Sequence, residues 1–139
     1  MDKDPYKGAN FSVELDRVHR AGFRECSTIS IKIAPIEYQE GGDRVARQLP
    51  GKITYTPITL KWGNTDTDEL YQWHHNAVLG LVERKSGSIV QLDDSKKEVM
   101  RWNFYNAWPS EFTAPTYSGS STDVAIETLT IICERVERG

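Results

Sequence analysis

The stretch KITYTPITLKW (Lys52 to Trp62) decides the fold class of this sequence, because apolar and polar residues alternate along it. This two-residue period is typical of a β-strand with one buried face. The apolar positions change phase once, at Thr56-Pro57, and are Ile53, Tyr55, Ile58, Leu60 and Trp62. Proline lacks the N–H that a strand ladder needs, so within a strand it marks an edge, a bend or a bulge. The stretch therefore predicts a long strand that bends midway, as in a curved sheet or a barrel wall.

The same alternation recurs on both sides of this stretch. The further strand patterns are NFSVELD (10–16), STISIKIAPIEY (27–38), SIVQL (88–92), EVMRWNFY (98–105) and VAIETLTIICERV (124–136). Within STISIKIAPIEY the alternation changes phase at Ala34-Pro35, and PSEFTAPTYSGSSTD (109–123) has the composition of an irregular loop. We expect a single, mainly β domain over residues 1–139, with roughly six or seven antiparallel strands in a β-sandwich or barrel-like arrangement and one helix.

The one helix is predicted after a stretch of acidic residues. Asp66 and Glu69 have the spacing of a capping box, in which Asp66 is the N-cap. Leu70, Trp73 and Ala77 then form an apolar stripe, so the sequence predicts a helix that packs one face on the core.

Four aromatic residues fall within RWNFYNAWP (101–109). Alternation puts Trp102 and Phe104 on the same face of a strand, where we expect them to fill the core under the helix and Trp102 to meet Trp73. Tyr105 and Trp108 are left for the end of the strand or for a surface between subunits.

Composition limits the classes of function. The 139 residues carry a net charge of -3 without a basic cluster, which argues against direct binding to nucleic acid. The chain has no long apolar run, and MDKDPYKGANF at the N-terminus lacks the apolar stretch of a signal peptide, so we expect neither membrane insertion nor export by that route. Cys26 and Cys133 are expected to be buried thiols, although the two could in principle pair.

No motif for catalysis, metal binding or a cofactor is present. His74 and His75 are neighbours on a helix and point about 100° apart, so they cannot share a metal ion. His19 is isolated, and the carboxylates group in caps and turns, where their oxygens bond local N–H groups. We therefore expect no catalytic residue, no metal, no cofactor and no enzymatic activity.

The stretch YQEGGDRVARQLPGK (Tyr38 to Lys52) has two glycines near its start and Pro50-Gly51 near its end. A phosphate-binding loop is disfavoured because Gly41-Gly42 leads into Asp43, and no lysine or helix N-terminus follows directly. Two alternatives stay open at this point: a mobile hairpin loop, or an arm that contacts another protein.

Several segments together resemble one protein family along nearly the whole chain. They are NFSVELD, GFRECSTI, IEYQEGG, LPGKITYTPITLKWG, DELYQW, RWNFYNAWPSEFTAP and VAIETLTI, and their order is that of tail tube proteins. These are the inner-tube subunits of contractile phage tails and of phage-derived contractile injection systems. One departure is STIS (27–30), where many relatives carry Ser-Gly-Leu.

The resemblance implies a structural subunit without catalytic function. Such subunits form hexameric rings that stack into a hollow tube, and strands from every subunit build one shared barrel around the lumen. The implied partners are further copies of the chain, a contractile sheath, baseplate and terminator or cap proteins, and cargo in the lumen, either DNA or protein. Assembly would take place in the bacterial cytoplasm, and the mature particle would be a phage tail or an extracellular, injected particle.

The alternatives are a tube-initiator ring at the baseplate, a ring-forming secreted protein of the type VI secretion kind, and, disfavoured, a small β-barrel enzyme or ligand-binding module.

The resemblance also suggests two sets of site residues. The first is a protruding loop between rings, at about residues 39–52, with glycine hinges at both ends and two arginines available for acidic groups of a neighbour; its residues are Glu40, Gly41, Gly42, Asp43, Arg44, Arg47, Leu49, Pro50 and Gly51. The second is a polar lining of the lumen, for which the candidates are Thr54, Thr56, Thr59, Thr128 and Thr130.

Overall fold

The computed structural model describes residues 8, 10–16, 23–42, 44–63, 68–120 and 124–139. Within these ranges the chain forms nine strands and one helix. They are β1 (Phe11–Leu15), β2 (Phe23–Cys26), β3 (Ile31–Tyr38), β4 (Arg47–Tyr55), β5 (Ile58–Gly63), α1 (Glu69–Val78), β6 (Lys85–Leu92), β7 (Glu98–Thr113), β8 (Ile126–Ile132) and β9 (Arg135–Arg138). The mainly β architecture with one helix is as predicted, with more strands than the alternation indicated.

Seven strands form one antiparallel sheet in the order β1-β6-β7-β8-β5-β2, with β9 added to β7. Strand β7 serves both halves of this sheet, because its first half pairs with β6 and β9 and its second half pairs with β8. At the change of partner Asn106 has a positive φ of 53°, and its side-chain amide donates to Glu134 Oε2 at 2.9 Å. The sheet curls here, so that β1 and β5 contribute residues to the same core.

The core lies between the two halves of the curled sheet, and α1 covers one side of it. The most deeply buried side chains are Trp62, Phe104, Ile58, Leu60, Leu129 and Ile131. Trp62 is the centre of an aromatic group: its ring meets Phe23 edge-on at 5.9 Å and lies 6.4 Å from Phe112. Its indole N–H donates to Glu127 Oε2 at 2.5 Å. The alternating residues of β5 are therefore buried as predicted.

Helix α1 begins later than the capping-box pattern predicts. Asp68 occupies the N-cap, and its carboxylate accepts a hydrogen bond from the Gln72 side chain instead of capping a backbone N–H. The predicted N-cap, Asp66, lies outside the described residues. Leu70 and Trp73 are buried as expected. At 10 residues, α1 is too short to span a membrane, and no other helix is found in the described part of the chain.

Trp102 and Trp73 belong to the same hydrophobic core, as expected: Trp73 is buried within it and Trp102 packs against it partly buried. Helix α1 packs over the second half of β7, where Tyr71 contacts the Phe112 ring at 5.3 Å. Trp102 lies in the first half of β7, opposite Ile89, and is only half-buried against the edge of the core. Alternation assigned Trp102 to the correct side of its strand, but which part of a 16-residue strand lies under a helix depends on tertiary packing.

Two loop and strand boundaries also differ from the prediction. Strand β7 continues through Pro109 to Thr113, so only the second part of the predicted loop at 109–123 is irregular among the described residues. The predicted closing strand at 124–136 is divided at Cys133-Glu134 into β8 and β9, which pair with different halves of β7. A single alternating pattern cannot reveal such a change of partner.

Both cysteine thiols are free. Cys133 is buried and Cys26 is half-buried. Burial raises the pKa of Cys26 to about 11 and that of Cys133 to about 12, because the thiolate loses hydration in an apolar environment. At neutral pH both groups are therefore protonated and poor nucleophiles.

Candidate assembly surfaces

Strands β3 and β4 form a two-stranded antiparallel ribbon that is separate from the main sheet. The ribbon runs from Ile31 to Tyr55, is exposed over most of both faces, and reaches roughly 25 Å at the usual rise of a strand. Its connecting turn covers only residues 39–46. The predicted loop at 39–52 is therefore wrong at its C-terminal end, because Arg47, Leu49, Pro50 and Gly51 belong to β4.

A β-bulge interrupts the pairing of the ribbon. Ile33 pairs with Ile53 before the bulge, and Ile36 pairs with Leu49 after it. Because two steps along β3 match three steps along β4, the extra residue lies in β4, at Gly51-Lys52. Apolar residues are paired across the ribbon on both sides of the bulge, and we call the surface that they present the apolar face of the ribbon. Its residues are Ile31, Ile33, Ile36, Tyr38, Leu49, Ile53 and Tyr55.

Gly51 lies in the bulge, opposite Ala34, and permits the close approach of the two strands. A Cβ atom at this position would lie 2.6 Å from the Ala34 carbonyl oxygen and 2.7 Å from Ile36 Cγ1. The predicted role of Pro50-Gly51 as a hinge is therefore wrong: Pro50 pairs with Pro35 inside the ribbon, and Gly51 is needed for packing across it.

The apolar face of the ribbon is open to solvent over most of its length. The exposed fractions of its large apolar residues range from 41% for Tyr38 to 54% for Ile33. At the base of the ribbon Tyr55 packs against the core. The exposed apolar residues therefore begin next to the core and extend away from it. These side chains were expected to be half-buried within the subunit. Their exposure instead creates an extended apolar patch of the kind that marks a protein interface.

Polar residues alternate with the apolar ones in each half of the ribbon, and its tip is polar. Lys32 and Thr54 lie on the side away from the apolar residues near the base, and Glu37 and Gln48 do so near the tip; we call these four residues the polar face. At the tip, Gly41, Gly42 and Arg44 are exposed, and the Tyr38 hydroxyl donates to Glu40 Oε1 at 2.5 Å. Asp43, which belongs to the predicted loop set, lies outside the described residues.

Three of the five candidate lumen residues come together on the main sheet. Thr59 of β5 pairs with Thr130 of β8, and their hydroxyl oxygens are 3.3 Å apart. Thr128 pairs with Lys61, whose ammonium lies 3.9 Å from Glu25. We call the surface formed by Thr59, Thr128 and Thr130 the threonine face. It is the side of the sheet opposite to the buried leucines of the same strands.

The other two candidate lumen residues are placed elsewhere. Thr54 lies on the polar face of the ribbon, opposite Lys32. Thr56 follows β4, and its hydroxyl accepts a hydrogen bond from the Ser30 N–H at 2.9 Å and donates to the Thr28 carbonyl at 3.4 Å. The Thr56 side chain thus closes the base of the ribbon.

The two neighbouring histidines have aromatic surroundings. His75 stacks on Tyr71 with ring centroids 5.6 Å apart, and the His74 ring lies 6.2 Å from Phe112. Among the described residues no three His, Cys, Asp or Glu side chains are grouped so that they could hold a metal ion. His19 lies outside those residues.

A second exposed apolar patch, which the sequence reasoning missed, follows α1. Val78, Leu79, Leu81 and Val82 are all more than half exposed. Gly80 has a φ of 91° and ends the helix, so the apolar residues around it do not continue the buried stripe of α1. A glycine within an apolar run was the feature of the sequence that could have indicated this patch.

The chain is similar to known proteins of one family. The family model described as T4-like virus tail tube protein gp19 matches residues 7–137. A chain of the PVC sheath–tube complex, an extracellular contractile injection system in its extended state, is 29% identical with a TM-score of 0.85, covering 97% of this chain and 91% of that chain. A chain from the PVC sheath/tube terminator structure is 28% identical with a TM-score of 0.87, covering 99% of this chain and 98% of that chain.

More distant structures share the fold alone. Hcp1 from Flavobacterium johnsoniae is 20% identical, with a TM-score of 0.56 and coverage of 92% of this chain and 94% of that chain. No curated protein sequence matches the chain. Since the family model spans nearly all of the 139 residues, the protein belongs to the T4-like virus tail tube protein gp19 family and is a structural tube subunit.

Proposed function

We propose that the chain forms hexameric rings that stack into the inner tube of a contractile injection system, with residues 1–139 acting as one tail-tube domain. The observation that carries the proposal is the ribbon, whose large apolar side chains are about half exposed to solvent on both sides of the bulge. A face of this kind is unfavourable in an isolated subunit and is covered when copies assemble.

The ribbon is large enough to drive assembly. If each of its six half-exposed apolar side chains buried roughly 80 Å² on docking, the transfer free energy would be on the order of 10 kcal/mol before the costs of association. At the tip, Gly41-Gly42 supplies the flexibility, and Arg44 and Arg47 are placed to meet acidic groups of an adjacent subunit.

The threonine face is proposed to line the bore. Strands β1 and β2 end the hydrogen-bonded order of the main sheet in the described residues, and pairing such edges across subunits would close the six sheets into one barrel. The face opposite the core would then point to the lumen. Its hydroxyl groups and the Lys61–Glu25 pair give a polar surface without a dominant charge, suited to cargo that has to slide.

The partners follow from the same proposal. The sheath, the terminator or cap and the baseplate would contact the outside and the ends of the tube, and DNA or protein cargo would occupy the lumen. Subunits would assemble in the bacterial cytoplasm and function in the mature extracellular particle, without catalysis.

A tube-initiator ring is the nearest alternative. A secreted type VI ring protein is less favoured, because the likeness to Hcp1 is limited to the fold whereas the likeness to the sheath–tube complex extends to 29% identity.

Purified protein tests this proposal. We expect rings of about 95 kDa, six times the 15.8 kDa subunit, by mass photometry at low concentration, and hollow tubes by negative-stain electron microscopy at high concentration. Rings without tubes at any concentration would favour the initiator ring. A protein that stays monomeric throughout the concentration range would contradict the proposal.

A further inference from the structure

Helix α1 has an apolar surface on the side that faces away from the core. At about 100° for each residue, Tyr71, Val78 and Leu79 lie within one third of the helix circumference. The buried residues Leu70 and Trp73 occupy the other side of the helix. The apolar surface continues into the two apolar residues that follow Gly80, and all of its side chains are between 41% and 68% exposed. We call the surface formed by Tyr71, Val78, Leu79, Leu81 and Val82 the helix patch.

The chain that follows α1 is held by hydrogen bonds at both ends. The Leu81 N–H donates to the Asn76 carbonyl at 2.8 Å, across Gly80, as in a Schellman motif. Farther along, the Trp73 indole N–H donates to the Glu83 carbonyl at 2.7 Å. The helix patch therefore needs little ordering when a partner covers it, which lowers the entropic cost of binding.

The helix patch and the threonine face lie on opposite sides of the same strands. Phe112 of β7 pairs with Leu129 of β8 on the buried side, and α1 packs on that side, with the Tyr71 ring 5.3 Å from Phe112. Thr128 and Thr130 flank Leu129 in sequence and point to the other side of the sheet. With the threonine face lining the bore, as proposed above, α1 lies outside these strands and the helix patch points away from the tube axis.

The helix patch is also the apolar surface that contacts between copies leave uncovered. Among the described residues, large exposed apolar side chains cluster on the ribbon with its turn and on the helix patch, and the others are Tyr117 and Val124. The other outward surface, on the first half of the main sheet, is polar: Glu14 pairs there with Arg101 at 2.7 Å. Since the ribbon serves the contacts between copies, the helix patch is available to a partner that surrounds the tube.

We propose that the helix patch is the surface to which the contractile sheath binds, through apolar side chains of a sheath subunit. The proposal rests on the tube function and on the bore assignment given above. At roughly 80 Å² for each of its five side chains, the patch buries about 400 Å², half of what each partner commonly contributes to a stable complex. A single contact would therefore be weak, and the sheath would be held by many copies along the tube. Weak single contacts suit a sheath that shortens around the tube.

Binding of the sheath to preformed tubes tests the assignment. Tubes of the Leu79→Asp, Leu81→Asp variant and of the unmodified protein are sedimented with the purified sheath protein of the same particle. We expect the variant to form tubes at an unchanged protein concentration, and the amount of bound sheath to fall about tenfold or more. The matched control, Tyr117→Asp with Val124→Asp, adds the same charge at exposed apolar positions outside the helix patch and should bind the sheath normally.

Normal sheath binding by tubes of the Leu79→Asp, Leu81→Asp variant would overturn the inference. A folded variant that no longer forms tubes would overturn it too, since the helix patch would then be a contact between copies. Salt screens apolar contacts little, so sheath binding to unmodified tubes should persist from about 0.1 to 0.5 M salt, and its loss would show an ionic contact instead. Failure of the unmodified protein to form tubes would contradict the tube function itself, and with it the bore assignment.

Discussion

Replacing Ile36 and Leu49 together with aspartate should abolish both rings and tubes while leaving the subunit folded. The two side chains are paired across the ribbon and are 53% and 47% exposed, so the charges remain hydrated in the isolated subunit. In an assembled ring the same charges would be buried without partners, which costs several kcal/mol for each group. Mass photometry should show only the monomer, and the circular dichroism spectrum should match that of the unmodified protein.

A control with the same added charge uses the other face of the ribbon. Gln48→Asp with Thr54→Asp places two negative charges on the polar side, where we expect assembly to persist. If the control assembles and the Ile36→Asp, Leu49→Asp variant also forms ordinary tubes, the apolar face is not an assembly surface. Loss of the β-sheet spectrum in the variant would show that the face belongs to the subunit core.

The largest effect on subunit stability is expected for Trp62→Ala, which should lower the free energy of unfolding by about 3–5 kcal/mol. Trp62 is 1% exposed and contacts Phe23 and Phe112, and its loss removes the indole donor to Glu127. Urea unfolding should be measured in the Ile36→Asp, Leu49→Asp background, so that assembly does not add to the apparent stability.

The matched control for Trp62→Ala is Tyr117→Ala, because Tyr117 is 75% exposed. It should change the free energy of unfolding by no more than about 0.5 kcal/mol. A loss below about 1 kcal/mol for Trp62→Ala would mean that the aromatic group around this residue is not the centre of the core.

The alternation of residues predicted which side chains share a face of each strand, but not which other element covers that face. Ile58 and Leu60 follow the same pattern as Ile31 and Ile33, yet the first pair is fully buried and the second is about half exposed. The difference arises from position: β5 lies within the curled sheet, whereas β3 belongs to the ribbon. Periodicity contains no information on whether a second layer, from the same chain or from another, packs on the apolar side.

The candidate site residues could be predicted only in part, because sequence patterns do not show what packs against a side chain. The sequence predicts a hinge at Gly51 because glycine and proline commonly mark turns, but in the structure its missing side chain allows close packing within a bulge. Thr59 and Thr130 lie side by side because both alternate with buried residues, whereas the Thr56 side chain bonds to residues 28 and 30 at the base of the ribbon. The exposed apolar patch at the end of α1 could not be predicted from periodicity alone, because its residues look like the end of a buried helix stripe.

A cryo-EM map of assembled tubes tests the central claim most directly. The account predicts six-fold rings in which the apolar face of each ribbon is covered by a neighbouring subunit and Thr59, Thr128 and Thr130 face the bore. Tubes in which the ribbon faces are open to solvent, or in which the threonine face lies in a contact away from the lumen, would contradict it.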